Sequence, residues 1–71
     1  MNKKEQINEI KSLLKKDDKN NLKDIEYVEE KGEEYALIKL NGAFGSGRIK
    51  LNVTGNSFAA NILAITKAIY F

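Results

Sequence analysis

The sequence predicts an α+β domain of order αβββα, in which a three-stranded antiparallel sheet carries two helices packed on one face. Apolar residues recur at spacings of three and four near the start of the chain and again after residue 57, the period of a helix with one buried side. Between these segments Ile49, Leu51 and Val53 alternate with Arg48, Lys50, Asn52 and Thr54, as a strand does with one face on a core and the other in water. Glycines at 32, 42, 45, 47 and 55 punctuate the middle of the chain, which suits hairpins joined by short turns.

Asn2-Lys3-Lys4-Glu5 reads as a capping box, with the Asn2 side chain accepting the Glu5 amide. Ile7, Ile10 and Leu14, with Leu13 alongside, then form one apolar side, and Lys3, Lys4, Lys11 and Lys15 hold the other. Asp17-Asp18-Lys19-Asn20-Asn21 ends this helix, because Asp and Asn side chains compete for backbone hydrogen bonds. Ile25 and Tyr27 alternate with polar neighbours in a first strand, and Glu30-Lys31-Gly32-Glu33 supplies a turn. Tyr35-Ala36-Leu37-Ile38-Lys39-Leu40 forms the second strand, with Asn41-Gly42 as the turn signal and Gly45 and Gly47 lengthening the connection. Gly55-Asn56-Ser57 closes the sheet and caps a second helix. Residues 1–71 thus make a single domain, with helices over 2–16 and 57–70 and strands over 24–29, 34–41 and 47–54.

That second helix is apolar nearly all round. Phe58, Ile62, Ile65 and Ile69 make its expected core stripe, and Lys67 is its only charge. One sheet and one other helix cannot cover such a surface, so Phe58, Ala60, Leu63, Ala64, Tyr70 and Phe71 are expected to meet a second copy or a partner protein. The competing expectation is a monomer in which the first helix and the loops cover it.

Charge is segregated along the chain. Residues 1–23 carry seven Lys against four acids, residues 24–34 carry six acids against Lys31, and residues 35–71 carry four cations and no acid. The net charge is only +2, so patches of opposite sign, and not overall charge, would orient a partner. The acidic stretch Glu26, Glu29, Glu30, Glu33 and Glu34 is one candidate contact for a basic protein surface. Tyr35, Lys39, Arg48, Lys50 and Asn52, on the solvent side of strands two and three, are the candidate for nucleic acid, through phosphate pairing and stacking on Tyr35. A solvated sheet face has the same pattern.

With no His and no Cys, the chain lacks the usual general base, the thiol nucleophile and the commonest zinc ligands. No enzyme activity, metal, cofactor or small-molecule substrate is expected. Asp18, Asn20, Asp24 and Glu29 fall at calcium-loop offsets, but Leu22 and Lys23 stand where an oxygen ligand and a Gly are needed. Asn41 to Arg48 is Gly-rich, yet it joins two strands and lacks the Gly-Lys-Ser/Thr of a phosphate loop. The N-terminus shows no apolar signal segment, and Phe58 to Phe71 is too short and polar to span a bilayer, so a cytoplasmic location without membrane contact is expected. A 71-residue chain buries only about 60% of its unfolded surface, and without disulfide or metal the remaining source of stability is association.

The element order resembles the double-stranded-RNA-binding domain. Ile25-Glu26-Tyr27-Val28-Glu29-Glu30-Lys31-Gly32 is similar to that family's first strand and turn, and Tyr35 through Gly47 to its second strand and Gly-rich turn. The resemblance implies the same fold. Its RNA-binding residues do not carry over. Where the family has a His-bearing hairpin loop this chain has Glu29, Glu30, Glu33 and Glu34, and Asn56 to Asn61 contains none of the Lys that open the family's second helix. Four carboxylates would repel phosphate. The function expected is therefore that of a small non-catalytic binding protein acting through protein contacts, an inhibitor or adapter of a host protein from a phage or mobile element. The alternative is a nucleic-acid-binding accessory protein.

Overall fold

The side chain of Asn2 starts the first helix by accepting the Glu5 N–H at 2.8 Å, which satisfies one of the orphan donors of the first turn. In the computed structural model, which describes residues 2–42 and 45–70, the order is α1 (Lys3–Lys15), β1 (Leu22–Glu30), β2 (Glu33–Gly42), β3 (Gly45–Asn52) and α2 (Phe58–Tyr70). The amide of Asn20 closes α1 by donating to the Leu14 carbonyl at 2.9 Å. Ser57 caps α2 through the Ala60 N–H at 3.2 Å.

The three strands form one antiparallel sheet in the order β1-β2-β3. Glu30 faces Glu33 across the first turn, and Lys31 and Gly32 both have left-handed backbones, with φ of 51° and 80°. Two such residues make the turn whose twist matches the flanking strands. A slip in register between Leu22 and Asp24 puts a bulge in β1. Pairing of β2 with β3 is unbroken from Tyr35 opposite Asn52 to Gly42 opposite Gly45. Asn41-Gly42, expected as a turn, is accordingly strand, and residues 43 and 44 lie outside the described residues.

At its other end β3 stops at Asn52, short of the expected residue 54. Side chains there replace the ladder. The Val53 N–H still reaches the Glu34 carbonyl at 2.9 Å, but the Glu34 N–H turns to the Thr54 hydroxyl at 2.7 Å, and the Thr54 N–H to the Asn52 side chain at 2.9 Å.

Both helices cover the same sheet face. Ile7 and Ile10 of α1, Ile65 of α2, Ile25, Ala36 and Ile38 of the sheet, and Val53 form one buried cluster. Phe58, Leu51, Ile49, Tyr27, Ala68 and Ile69 pack around it, partly buried. The helices run parallel, tied at both ends. Lys3 Nζ donates to the Asn56 carbonyl, and the Tyr70 hydroxyl donates to Asp17 Oδ2 at 2.6 Å while accepting from Asn20 at 2.9 Å.

The buried side of α2 differs from the expected stripe. Asn61 is fully buried, whereas Ile62 is 37% exposed. The helix is rotated so that Phe58, Asn61, Ile65 and Ala68 lie inward, because a helix apolar on most sides can be turned without exposing charge. Neither Asn61 Nδ2 nor Oδ1 has a hydrogen-bond partner among the described residues, and Gln6 Oε1 of α1 is buried in the same condition.

Two stability predictions follow from strained or unpartnered groups. A left-handed lysine costs about 1–2 kcal/mol over glycine or asparagine, so Lys31→Gly should stabilise the fold and Gly32→Ala destabilise it in urea titrations. Asn61→Leu removes a buried amide without a protein partner and should stabilise by about 1 kcal/mol, seen as a melting temperature raised by roughly 4–8 °C.

Candidate interaction surfaces

The sheet face turned away from the helices is striped by charge. Asp24, Lys39 and Arg48 form one row across it, Glu26, Leu37 and Lys50 the next, and Val28, Tyr35 and Asn52 a third. All five residues proposed for nucleic acid therefore share one face. The acids of β1 reach across to the cations, with Lys39 Nζ 3.2 Å from Glu26 and Lys50 Nζ 2.6 Å from Glu30. Lys50 also stands 4.4 Å over the Tyr35 ring, a cation–π contact, and the Glu30 carboxylate beside it raises its pKa. Arg48 is exposed and forms no ion pair among the described residues. The face that looks basic in residues 35–71 is largely neutralised from β1.

The acidic hairpin is not one patch. Successive strand residues point to opposite faces, so Glu26, Glu30 and Glu33 lie on the outer face and Glu29 and Glu34 on the helix side, around Tyr27. The Tyr27 hydroxyl donates to Glu34 Oε2 at 2.9 Å, with Glu29 Oε2 at 3.3 Å. These carboxylates, Glu34 first, push the Tyr27 pKa up to about 12. Glu33 is held below its ordinary value by the Thr54 hydroxyl and then the Asn52 amide, whose Nδ2 lies 3.3 Å away. The five acids expected to meet a basic partner surface are thus divided between two faces of the hairpin, and each makes a contact within the fold.

On α2, Leu63 is 57% exposed and Ile62 37%, with Ala59 and Ala60 exposed beside them. Phe58 and Ala64 are half-buried, Phe58 against the core, so they contribute less to an outer surface than expected. Tyr70 is 43% exposed, but its hydroxyl belongs to the tie with Asp17 and Asn20. Tyr70 lowers the Asp17 pKa through that hydrogen bond, followed by the Lys19 amide. Phe71 lies outside the described residues.

One feature not anticipated from the sequence is an open hollow of about 580 Å³ along α1, lined by Asn8, Lys11, Ser12, Lys15 and Lys16. Their spacing of three and four was the available signal. Lys11 is already engaged, 2.8 Å from Asp24, whose pKa it lowers. Among the described residues, no helix is long and apolar enough to cross a membrane.

Alkaline titration at 295 nm checks the Tyr27 cluster. A folded pKa near 12 above the ordinary tyrosine value of about 10 means that the hydroxyl contributes stability below about pH 10. That contribution falls as pH rises toward 12. The late tyrosine transition should vanish in Tyr27→Phe and move to lower pH in Glu34→Gln.

No protein-family model matches this chain, and comparison with curated proteins and with solved structures finds no match.

Proposed function

We propose that this chain is a small non-catalytic binding protein that acts through protein–protein contacts made by the outer side of α2. The observation that carries the reading is the apolar ridge of Ala59, Ala60, Ile62 and Leu63. Lys67 is the only charge in that helix, so the ridge selects an apolar surface and not a charged one. The small alanines allow close helix approach. A second copy suits these properties, because α2 packed antiparallel on its symmetry mate would bury Leu63 and Ile62 against the same apolar side chains. The added burial also supplements the small core of a 71-residue chain. Action on a host protein as an inhibitor or adapter would use the same ridge or the dimer built on it.

The ion pairs of the outer sheet face weigh against the nucleic-acid alternative, since they withhold Lys39 and Lys50 from phosphate. The double-stranded-RNA mode has still less support, with carboxylates along the first hairpin.

Sedimentation and light scattering over a concentration series test the reading. Wild type is expected to be dimeric and Leu63→Asp monomeric with an unchanged circular-dichroism spectrum, because Leu63 is outside the core. Wild type that stays monomeric at every concentration overturns the self-association. Oligonucleotide retardation that falls steeply with salt would move the function to the sheet face.

A further inference from the structure

The backbone of β3 offers a second surface, on the edge of the sheet. The Val53 N–H donates to Glu34 of β2, and in an antiparallel ladder the residues that bond a given neighbour alternate. With the register unbroken along β3, residues 47, 49 and 51 turn their N–H and C=O groups to β2. Those of 46, 48, 50 and 52 therefore point outward, and no described strand lies beyond β3. Gly47, Arg48, Lys50 and Asn52 are all exposed. This is an open row of donors and acceptors, eight residues long, without Pro or bulge to blunt it.

The opposite edge is different. β1 carries a bulge at its start and the acids Asp24, Glu26, Glu29 and Glu30, so a break in the ladder and charge of like sign oppose addition of an acidic strand there. Pairing of β3 with a second β3 is also disfavoured. In an antiparallel self-pair, registers that align the strands bring Arg48 near Arg48 or Lys50 of the copy, and like charges facing across a sheet repel.

We propose that the free edge of β3 is a strand-addition site for an extended acidic segment of a partner protein, with Arg48 opposite a carboxylate. Backbone bonds to residues 46, 48, 50 and 52 supply the attachment, as in other strand-addition modes. Arg48, exposed and outside the ion pairs of its face, supplies the charge preference. The site rests on the reading of the chain as a protein-binding module but not on the α2 ridge.

Amide hydrogen exchange followed by NMR tests it, with a capped octapeptide alternating Glu and Val as the probe and its Lys-Val counterpart as control. The acidic peptide should slow exchange at Arg48, Lys50 and Asn52 by about tenfold or more and leave 47, 49 and 51 unchanged. Arg48→Ala should keep this pattern with affinity reduced by about tenfold, the weight of one charged contact. Arg48→Pro removes only an outward N–H, which an edge strand tolerates, and should abolish the response while circular dichroism stays native. If that variant fails to fold, Lys50→Pro makes the same test. Leu63→Asp should respond as wild type, so failure of the α2 ridge is separable from failure of this site. Unchanged exchange at 48, 50 and 52, an equal response to the Lys-Val peptide, or slowing that depends on protein concentration without peptide would each overturn the proposal, the last assigning the edge to a second copy.

Discussion

The side on which β2 buries Ala36 and Ile38 is the constraint on which the remaining surfaces depend. Both residues are fully buried at the centre of the sheet, and side chains along a strand alternate without exception in an unbroken ladder. Once they point to the helices, Tyr35, Leu37 and Lys39 must point away, and the register carries this choice to both neighbours. It separates Glu26 and Glu30 from Glu29 and Glu34, brings Lys39 and Lys50 within reach of β1, and aims the backbone of residue 48 at open water. A slip of one residue would bury Lys39 and expose Ile38. The sheet's charge pairing and its open edge are thus consequences of where one isoleucine is buried.

Charge segregation in the sequence becomes charge compensation in three dimensions. The most acidic stretch and the acid-free stretch are neighbours in chain order, and a meander folds one onto the other across β2. Lys50 leans over Tyr35 to reach Glu30, so the ring is screened by a cation that is itself neutralised. Each exposed pair is worth little to stability. Their effect is on recognition, because a face whose cations are answered from within projects a weak field toward phosphate. Arg48 stands outside this arrangement, at the edge where backbone groups are also unanswered.

The strands were legible because alternation has a single solution. Ile49, Leu51 and the charges between them admit only one buried side, and the N-terminal caps of both helices were equally plain in Asn2 and Ser57. The rotation of α2 was not legible. With Ile62, Leu63, Ile65 and Ile69 spread around the helix, several rotations bury similar apolar area, and the choice falls to packing against Ile7 and Ile10. The strand state of Asn41-Gly42 has a comparable cause: the pair favours reversal locally, but pairing with Ser46 and Gly45 keeps it in the ladder. The edge of β3 was hidden for another reason, since which strand lies outermost depends on the strand order, and side-chain pattern does not reveal it.

Asn61 and the α2 ridge belong to one argument. At these two positions, turning Ile62 inward and Asn61 outward would bury hydrocarbon and solvate an amide. The observed rotation instead leaves Ile62 and Leu63 at the surface and buries an amide with no protein partner. Burial of Ile62 and Leu63 against a second copy would reverse that balance, returning apolar area that the monomer leaves in water. Such an association and the rotation of α2 would be coupled, because the ridge that a second copy would cover exists only while Asn61 is turned inward.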